Sequence, residues 1–492
     1  MRHLASPVGA GPLPRPDAEG EAGAEACGDL VRIQLRIDGQ RVRVARFLAF
    51  GCGAATAAAS AACARLSGAS LDGALALSAA TLDADLGGLG PARAHGPELV
   101  EDAVARALEG WYSARLGRPG LPLRAGRVAV AMSGGVDSAV AALLLRRAGW
   151  DVVGVTMRLW HDPAEAAADR SCCSPETVRL ARRSAHALGI PHLVLDAAER
   201  FRQGVVDAFA AGYRAGVTPN PCVTCNGSVR FTLLAEAAAL LGARRLATGH
   251  YARLERDGLG APSLAQAHER AKDQSYMLAQ LDAPVRERLI FPLGELEKAA
   301  VRDLAREAGL AAAEAVESQE VCFVGASGYR PFLERYGGLD RRQGAIVDAD
   351  GRRLGGHEGY WRYTVGQRRG IGLAADEPLY VIATRPERNE VVVGPRRALA
   401  VSELLLRPAT VHGELGDGPL EVRVRYRGRP ARGRARREGR HGLLVALDEP
   451  AEGVAPGQTA ALYCNGRLVA AGTIAPPEGP HEEGEAWTST IC

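Results

Sequence analysis

From residue 127 the chain alternates apolar runs of strand length with periodic segments of helix length, and this alternation constrains its fold more than any other feature. "RVAVAM" (127–132) reads as a buried strand, "DSAVAALLLRRAG" (137–149) as a helix and "DVVGVTM" (151–157) as a strand. "SPETVRLARRSAHALG" (174–189) reads as a second helix, "PHLVLD" (191–196) as a third strand, and "ARRLATGHY" (243–251) adds another strand with a polar end. Strands separated by helices predict an α/β fold with a doubly wound parallel sheet. Between the first strand and the first helix stands "SGGVDS" (133–138). In such sheets this is where ligands bind, because the helix start offers unpaired N–H groups and glycine lets the backbone close around phosphate oxygens. The stretch lacks the Gly-Lys-Ser/Thr ending of a Walker loop, so it carries no lysine for a terminal phosphate.

At 492 residues the chain is too long for one core. The expected order is a flexible leader over 1–25, a unit over 26–116, a turn-rich linker "GRPGLPLRAG" over 117–126, and the sheet domain over 127–290. A small mixed domain over 291–399 follows, then short alternating runs such as "LEVRVRYR" and "HGLLVALD" over 400–475, which predict a β-barrel, and a tail over 476–492. No apolar run is long enough for a membrane span or a secretion signal, and a cytoplasmic protein with no membrane partner is expected. The net charge of +3 does not by itself announce a nucleic-acid partner. Of the sixty basic residues only Lys272 and Lys298 are lysines, so runs of arginine reflect in part a compositional bias.

The ten cysteines are too sparse for a disulfide scaffold and suggest catalysis or metal binding. Cys222 and Cys225 in "TPNPCVTCN" and Cys322 in "ESQEVCFVG" are the leading thiols; the adjacent Cys172 and Cys173 carry a weaker signal. A thiolate can carry sulfur as a persulfide, and a second thiol can expel it by closing a disulfide. Three thiolates with an open fourth position also suit a [4Fe-4S] cluster, and both readings stay open.

"SGGVDS" resembles the pyrophosphate loop of ATPases that split ATP into AMP and pyrophosphate and leave AMP on an acceptor. "MSGGVDSAVAALLL", "GVTMRLW", "TPNPCVTCN", "ATGHYAR", "KDQSYML", "FPLGELEK", "EVCFVG", "YTVGQRRGIG", "VRYR" and "PGQTAALY" occur in the order seen in tRNA-specific 2-thiouridylases, over roughly 127–475. The resemblance implies an adenine-nucleotide α-hydrolase type of sheet and an enzyme that adenylates the C2 oxygen of wobble uridine 34 and replaces it with sulfur. It implies an ATP site at Ala131, Met132, Ser133, Gly134, Gly135, Val136, Asp137, Ser138, Met157 and Gly249, with Asp137 helping to hold Mg2+. It implies tRNA contacts at Asn220, Pro221, Cys222, His250, Lys272, Asp273, Gln274, Arg425, Tyr426 and Gln458. Cys225 becomes the resolving or nucleophilic thiol and Cys322 the persulfide carrier, while many members carry aspartate where this chain has Cys222. The segment 423–440 holds nine arginines around Tyr426, suited to phosphates and a stacked base.

"EACGDLVRIQLRIDG", "ARFLAFGCGAATAAASA" and "ARAHGPELVEDAVARAL" resemble the NifU-type iron-sulfur scaffold, an α+β domain. Its ligands would fall on Cys27, Asp29, Cys52 and the position after His95, which here is Gly96, so one thiolate is missing and His95 is the neighbouring candidate. The resemblance implies that this domain receives sulfur or a cluster from a cysteine desulfurase or sulfur-relay partner and passes it on within the chain. The alternatives are a sulfur or cluster carrier with a regulatory nucleotide domain, and a pyrophosphate-loop ATPase acting on a small molecule.

Overall fold

The computed structural model describes residues 2–24, 28–90, 93–160, 162, 164, 174–256, 260–314, 321–325, 327–413 and 415–477. Cys27, Cys172 and Cys173 lie outside the described residues. The chain forms two compact units, one of 1–207 with 224–332 and the other of 208–223 with 333–492.

The first unit begins with an antiparallel sheet of β1 (Ala18–Ala24), β2 (Asp29–Asp38) and β3 (Arg41–Phe50), packed on the helices Gly53–Leu66 and His95–Ser113. Strand β1 corrects the expected leader: residues 18–24 pair with β2 along their whole length. Their small side chains disguise them as linker, yet smallness is what the packing needs. A Cβ on Gly20 would lie 2.2 Å from Ala103 O and Ala107 N on the 95–113 helix. Leu35, Ile33 and Val31 alternate inward on β2, the period-two burial of a half-buried strand.

The parallel sheet follows, with β4 (Arg124–Ala131), β5 (Asp151–Arg158), β6 (His192–Asp196), β7 (Ala243–Thr248) and β10 (Leu289–Ile290) in the order β10-β7-β4-β5-β6. Strand β4 starts at 124, three residues inside the expected linker. Helices Val136–Arg147 and Pro175–Ala187 cross over between strands, the second capped by Ser174 Oγ on Thr177 N. Strands β8 (Ala252–Arg256) and β9 (Pro262–Gln266) form an antiparallel hairpin. The sheet domain does not stop at 290. The helix Lys298–Glu307 puts Val301 and Ala305 into the same core as Val128, Val140 and Leu293, and Leu310 and Ala312 follow them, so the boundary lies near 330.

In the second unit, β11 (Gly344–Val347), β12 (Arg353–His357), β13 (Leu379–Arg385) and β14 (Glu390–Pro395) make a four-stranded sheet of order β12-β11-β14-β13. Strands β15 (Val401–Val411), β16 (Leu420–Arg423), β17 (Ala431–Glu438), β18 (Gly442–Ala451), β19 (Thr459–Cys464) and β20 (Arg467–Ile474) run antiparallel to their neighbours. β20 pairs back onto β15, which closes the expected barrel around Leu404, Val422, Val445, Leu462 and Ile474. Among the described residues no helix is long and apolar enough to cross a membrane.

Candidate functional site: a phosphate loop and a docked scaffold domain

The loop 133–138 leaves the end of β4 and turns into the 136–147 helix, whose N-cap Gly135 provides no side-chain bond to the first helical N–H groups. Those donors remain for an anion. Gly134 has φ +79°, and a Cβ there would strike Thr177 O at 2.5 Å. Ser138 closes the turn by donating to Gly135 O at 2.9 Å and accepting from Ser133 N at 3.2 Å. Met132 and Val136 are buried as its anchors, whereas Ser133 is exposed. Gly249, just past β7, presses on the loop from the neighbouring strand: a Cβ would lie 2.6 Å from Asp137 C and 2.7 Å from Ser138 N. Ala131 and Met157 sit at the same carboxyl edge of the sheet, on β4 and β5. The expected nucleotide residues are therefore brought together at the carboxyl edge of the sheet.

The structure adds two residues that the motif reading missed. Lys298 Nζ lies 2.7 and 2.8 Å from the two carboxylate oxygens of Asp137, and the Tyr251 hydroxyl donates to Asp137 Oδ1 at 2.9 Å. Both lie inside stretches that carry the resemblance, Lys298 at the end of "FPLGELEK" and Tyr251 in "ATGHYAR", without having been singled out there. His250, expected against tRNA, contacts Thr248 Oγ1 through Nδ1 at 2.9 Å. Burial and the nearby Arg230 push its pKa down to about 3, so the imidazole is neutral. Lys272 is partly exposed, but its neighbours face inward. Asp273 accepts from Ala267 N, Ser275 N and Ser275 Oγ, and Gln274 Oε1 accepts from Tyr251 N at 3.0 Å. Asp273 thus closes the turn between Ala267 and Ser275, and Gln274 holds Tyr251.

Cys225 is buried and opens a wide helical turn whose Asn226 donates to Met277 O, beside the "KDQSYML" segment. Cys322 is half-buried, and its neighbour Phe323 is anchored between Phe201 and Phe332. In the second unit Asn220 and Pro221 lead into Cys222, also half-buried. Asn220 Oδ1 accepts from Val223 N at 3.3 Å, and Gln458 Nε2 donates to Thr218 O at 2.8 Å, so Gln458 fixes the approach to this segment. Arg425 is exposed and Tyr426 half-buried, at the end of β16.

At the N-terminal domain Asp29, Cys52 and His95 converge, their ligand atoms within 4.8 Å of one another. His95 Nε2 lies 3.1 Å from Asp29 Oδ2 and 3.3 Å from Cys52 Sγ, and Cys52 N donates to Asp29 Oδ1. This is the one such group of three among the described residues. Gly96 is more than a lost ligand. A Cβ there would lie 2.9 Å from Ala54 C and Ala55 N, so the backbone of the 53–66 helix occupies the place of the missing side chain. Among the described residues the group offers one oxygen, one sulfur and one nitrogen, donors that can hold a borderline metal ion.

That domain is docked on the β6 side of the parallel sheet by opposite charges. Asp72, Glu101, Asp102 and Glu109 from the N-terminal domain meet Arg127, His186, Arg182 and Arg158 from the sheet domain. Arg127 is 1% exposed and donates to both oxygens of Asp72 at 2.8 Å. Beneath the contact, Thr156 Oγ1 donates to Met132 O and accepts from His192 Nε2, which leaves His192 Nδ1 as an unpartnered acceptor facing Glu101, Arg182 and His186. Burial, with Arg182 and His186 nearby, pushes the His192 pKa well below the usual histidine range.

Fold and site together define a pyrophosphate-loop nucleotide enzyme joined to an iron-sulfur scaffold-like domain. Residues 126–326 match the tRNA methyl transferase HUP domain, 1–117 the NifU-like N terminal domain, 330–395 the tRNA methyl transferase PRC-barrel domain and 403–474 the aminomethyltransferase beta-barrel domain. A bifunctional protein NifU/MnmA of Rubrobacter xylanophilus is 46% identical over 486 residues, covering 96% of this chain and 97% of the relative. A tRNA-specific 2-thiouridylase MnmA of Methylobacterium sp. is 46% identical over 368 residues, 73% of this chain and 96% of the relative, and one of Carboxydothermus hydrogenoformans is 42% identical over 354. The chain belongs to the bifunctional NifU/MnmA family.

Proposed function

We propose that this protein is an ATP-dependent tRNA-uridine 2-sulfurtransferase that takes its sulfur through its own N-terminal domain. The observation that carries the reading is the cradle at 133–138, where glycine at 134 and 249 and the open start of the 136–147 helix leave room and donors for ATP phosphates. Uridine O2 attacks the α-phosphorus, pyrophosphate leaves, and C2 carries AMP as a leaving group. The terminal sulfur of a Cys322 persulfide then attacks C2 and AMP departs with the oxygen. Cys225 thiolate attacks Cys322 Sγ, the S–S bond to the base breaks, sulfur stays on C2, and a Cys225–Cys322 disulfide forms, to be reduced by an external thiol. Mg2+ would accompany ATP as its counter-ion near Asp137. Asn220, Pro221 and Cys222 face the target base in this reading, and Lys272, Arg425 and Tyr426 contact tRNA.

The charged contact of the N-terminal domain with the sheet domain supports delivery in cis, from Cys52 toward the thiolation site after loading by a cysteine desulfurase. The test incubates anaerobically purified protein with unmodified tRNA, ATP-Mg and a desulfurase, and analyses nucleosides by mass. Wild type should form 2-thiouridine, Cys322→Ser should form none, and Cys52→Ser should slow desulfurase-fed transfer while binding ATP normally. Full transfer by Cys322→Ser refutes the persulfide route, and a visible absorbance band lost in Cys222→Ala would assign the sulfur to a cluster instead.

A further inference from the structure

The 175–187 helix touches both the docked N-terminal domain and the loop 133–138. Toward the N-terminal domain, Arg179 and Arg182 reach the Asp102 carboxylate at 3.4 and 2.5 Å, and His186 Nδ1 lies 3.4 Å from Glu101 Oε1. Positions 179, 182 and 186 fall on one helical face. Toward the loop, Thr177 O in the first turn stands 2.5 Å from where a Cβ of Gly134 would lie. About 7.5 Å of helix separates 177 from 182, a stiff length that carries a shift of the charged face to the loop. A second support of the loop lies under the same domain. Met132 O, one residue before the loop, accepts from Thr156 Oγ1 at 2.7 Å, and Thr156 Oγ1 accepts from His192 Nε2 at 2.8 Å. His192 is covered by the N-terminal domain: Leu75, Val104, Leu108 and Glu101 line a cavity of about 10 Å3 with Arg182, His186 and His192. A hydrogen bond kept from water in this way holds its geometry more firmly than a wet one. Lifting the domain would wet His192 and leave Arg179 and Arg182 side by side without Asp102.

We propose that seating of the N-terminal domain and ordering of the loop 133–138 are coupled, so that the chain binds ATP more tightly with its scaffold domain seated than with it lifted. This rests on the nucleotide reading of the loop and adds to it a regulator within the chain. Seated, the domain holds the 175–187 helix against Gly134 and keeps the Thr156–His192 pair dry beneath Met132. Lifted, it gives up both supports at once, and these differential contacts are what an energetic coupling requires. ATP then activates uridine chiefly while the domain that brings sulfur is in place. By reciprocity, ATP holds the domain down by the same factor by which the domain raises ATP affinity, a factor of about 5 to 150 in typical couplings.

The experiment uses the full chain with Mg2+ and α,β-methylene-ATP, which cannot be split between its α and β phosphorus atoms. In wild type, saturating nucleotide should slow amide exchange across the 95–113 helix at least about fivefold. Asp102→Arg, which sets a third guanidinium against Arg179 and Arg182, should speed that exchange and weaken nucleotide binding at least about fivefold. Asp102→Arg with Arg182→Asp, which restores opposite charges, should recover both. Binding within about twofold of wild type in an Asp102→Arg protein whose 95–113 helix exchanges faster overturns the proposal, as does a loss of binding that the charge swap leaves in place. Should Asp102→Arg stay seated or not fold, wild type decides by itself: exchange in the 95–113 helix that saturating nucleotide leaves unchanged overturns the coupling. A wild type that binds no nucleotide refutes the nucleotide reading instead.

Discussion

Removing the Asp72 carboxylate should loosen the N-terminal domain from the sheet domain without unfolding the barrel. Arg127 is 1% exposed and has two 2.8 Å bonds to Asp72, and the one other carboxylate near it, Asp151, stands 3.7 Å from Nε. Stripping one partner from a buried pair costs about 3–5 kcal/mol. The Asp72 side chain is 34% exposed, so water reaches part of the pair, and Asp151 retains part of the attraction. Asp72→Ala should therefore cost about 2 kcal/mol, roughly a 30-fold change in an opening equilibrium. A chain of several domains has no single unfolding free energy, so the readout must be local. Amide hydrogen exchange across the 95–113 helix should rise by that factor while exchange in β17 and β18 stays constant. In Arg127→Met with Asp72→Ala much of the protection should return, because no unpaired charge is left buried. Exchange within about twofold of wild type in Asp72→Ala, or strictly additive effects in the pair, would refute the argument.

Three further outcomes follow from the same geometry. His250, with its pKa near 3, and His192, depressed well below the usual range, bind protons in the unfolded chain before they do in the folded one. Their contribution is complete above about pH 6.5 and is lost as pH falls, at up to about 1.4 kcal/mol per unit per histidine, so the urea midpoint of the sheet domain, read by amide exchange in β6 and β7, should drop from pH 7.5 to 5.5 and drop less in His192→Asn. Gly96→Cys, which restores the missing thiol, should raise amide exchange in the 53–66 helix rather than build a cluster, because its Cβ meets Ala54 and Ala55 backbone atoms at 2.9 Å, at a cost of about 1–3 kcal/mol. A more stable, iron-binding variant would show that the 53–66 helix can yield. Gly249→Ala should weaken ATP binding at least about tenfold by displacing Asp137 and Ser138, measured by nucleotide titration with far-UV circular dichroism unchanged.

Local chemistry made much of this protein legible from its residues alone. The strand-helix alternation over 127–196 and the glycines of 133–138 are short-range patterns, and each imposes its structure through backbone geometry and the side-chain period of the element it belongs to. Asp29, Cys52 and His95 could each be named for the same reason, since each stands in a contiguous motif, whereas their convergence is decided by the fold. Strand β1 escaped because a low apolar content reads as linker until the 95–113 helix is seen to cross it at backbone distance. Lys298 on Asp137, Gln274 under Tyr251 and Asp72 on Arg127 join residues far apart along the chain. No periodicity records such partners. Charges attract without regard to sequence spacing, and it is the packing of the 298–307 helix and of the docked domain that decides which cation meets which carboxylate.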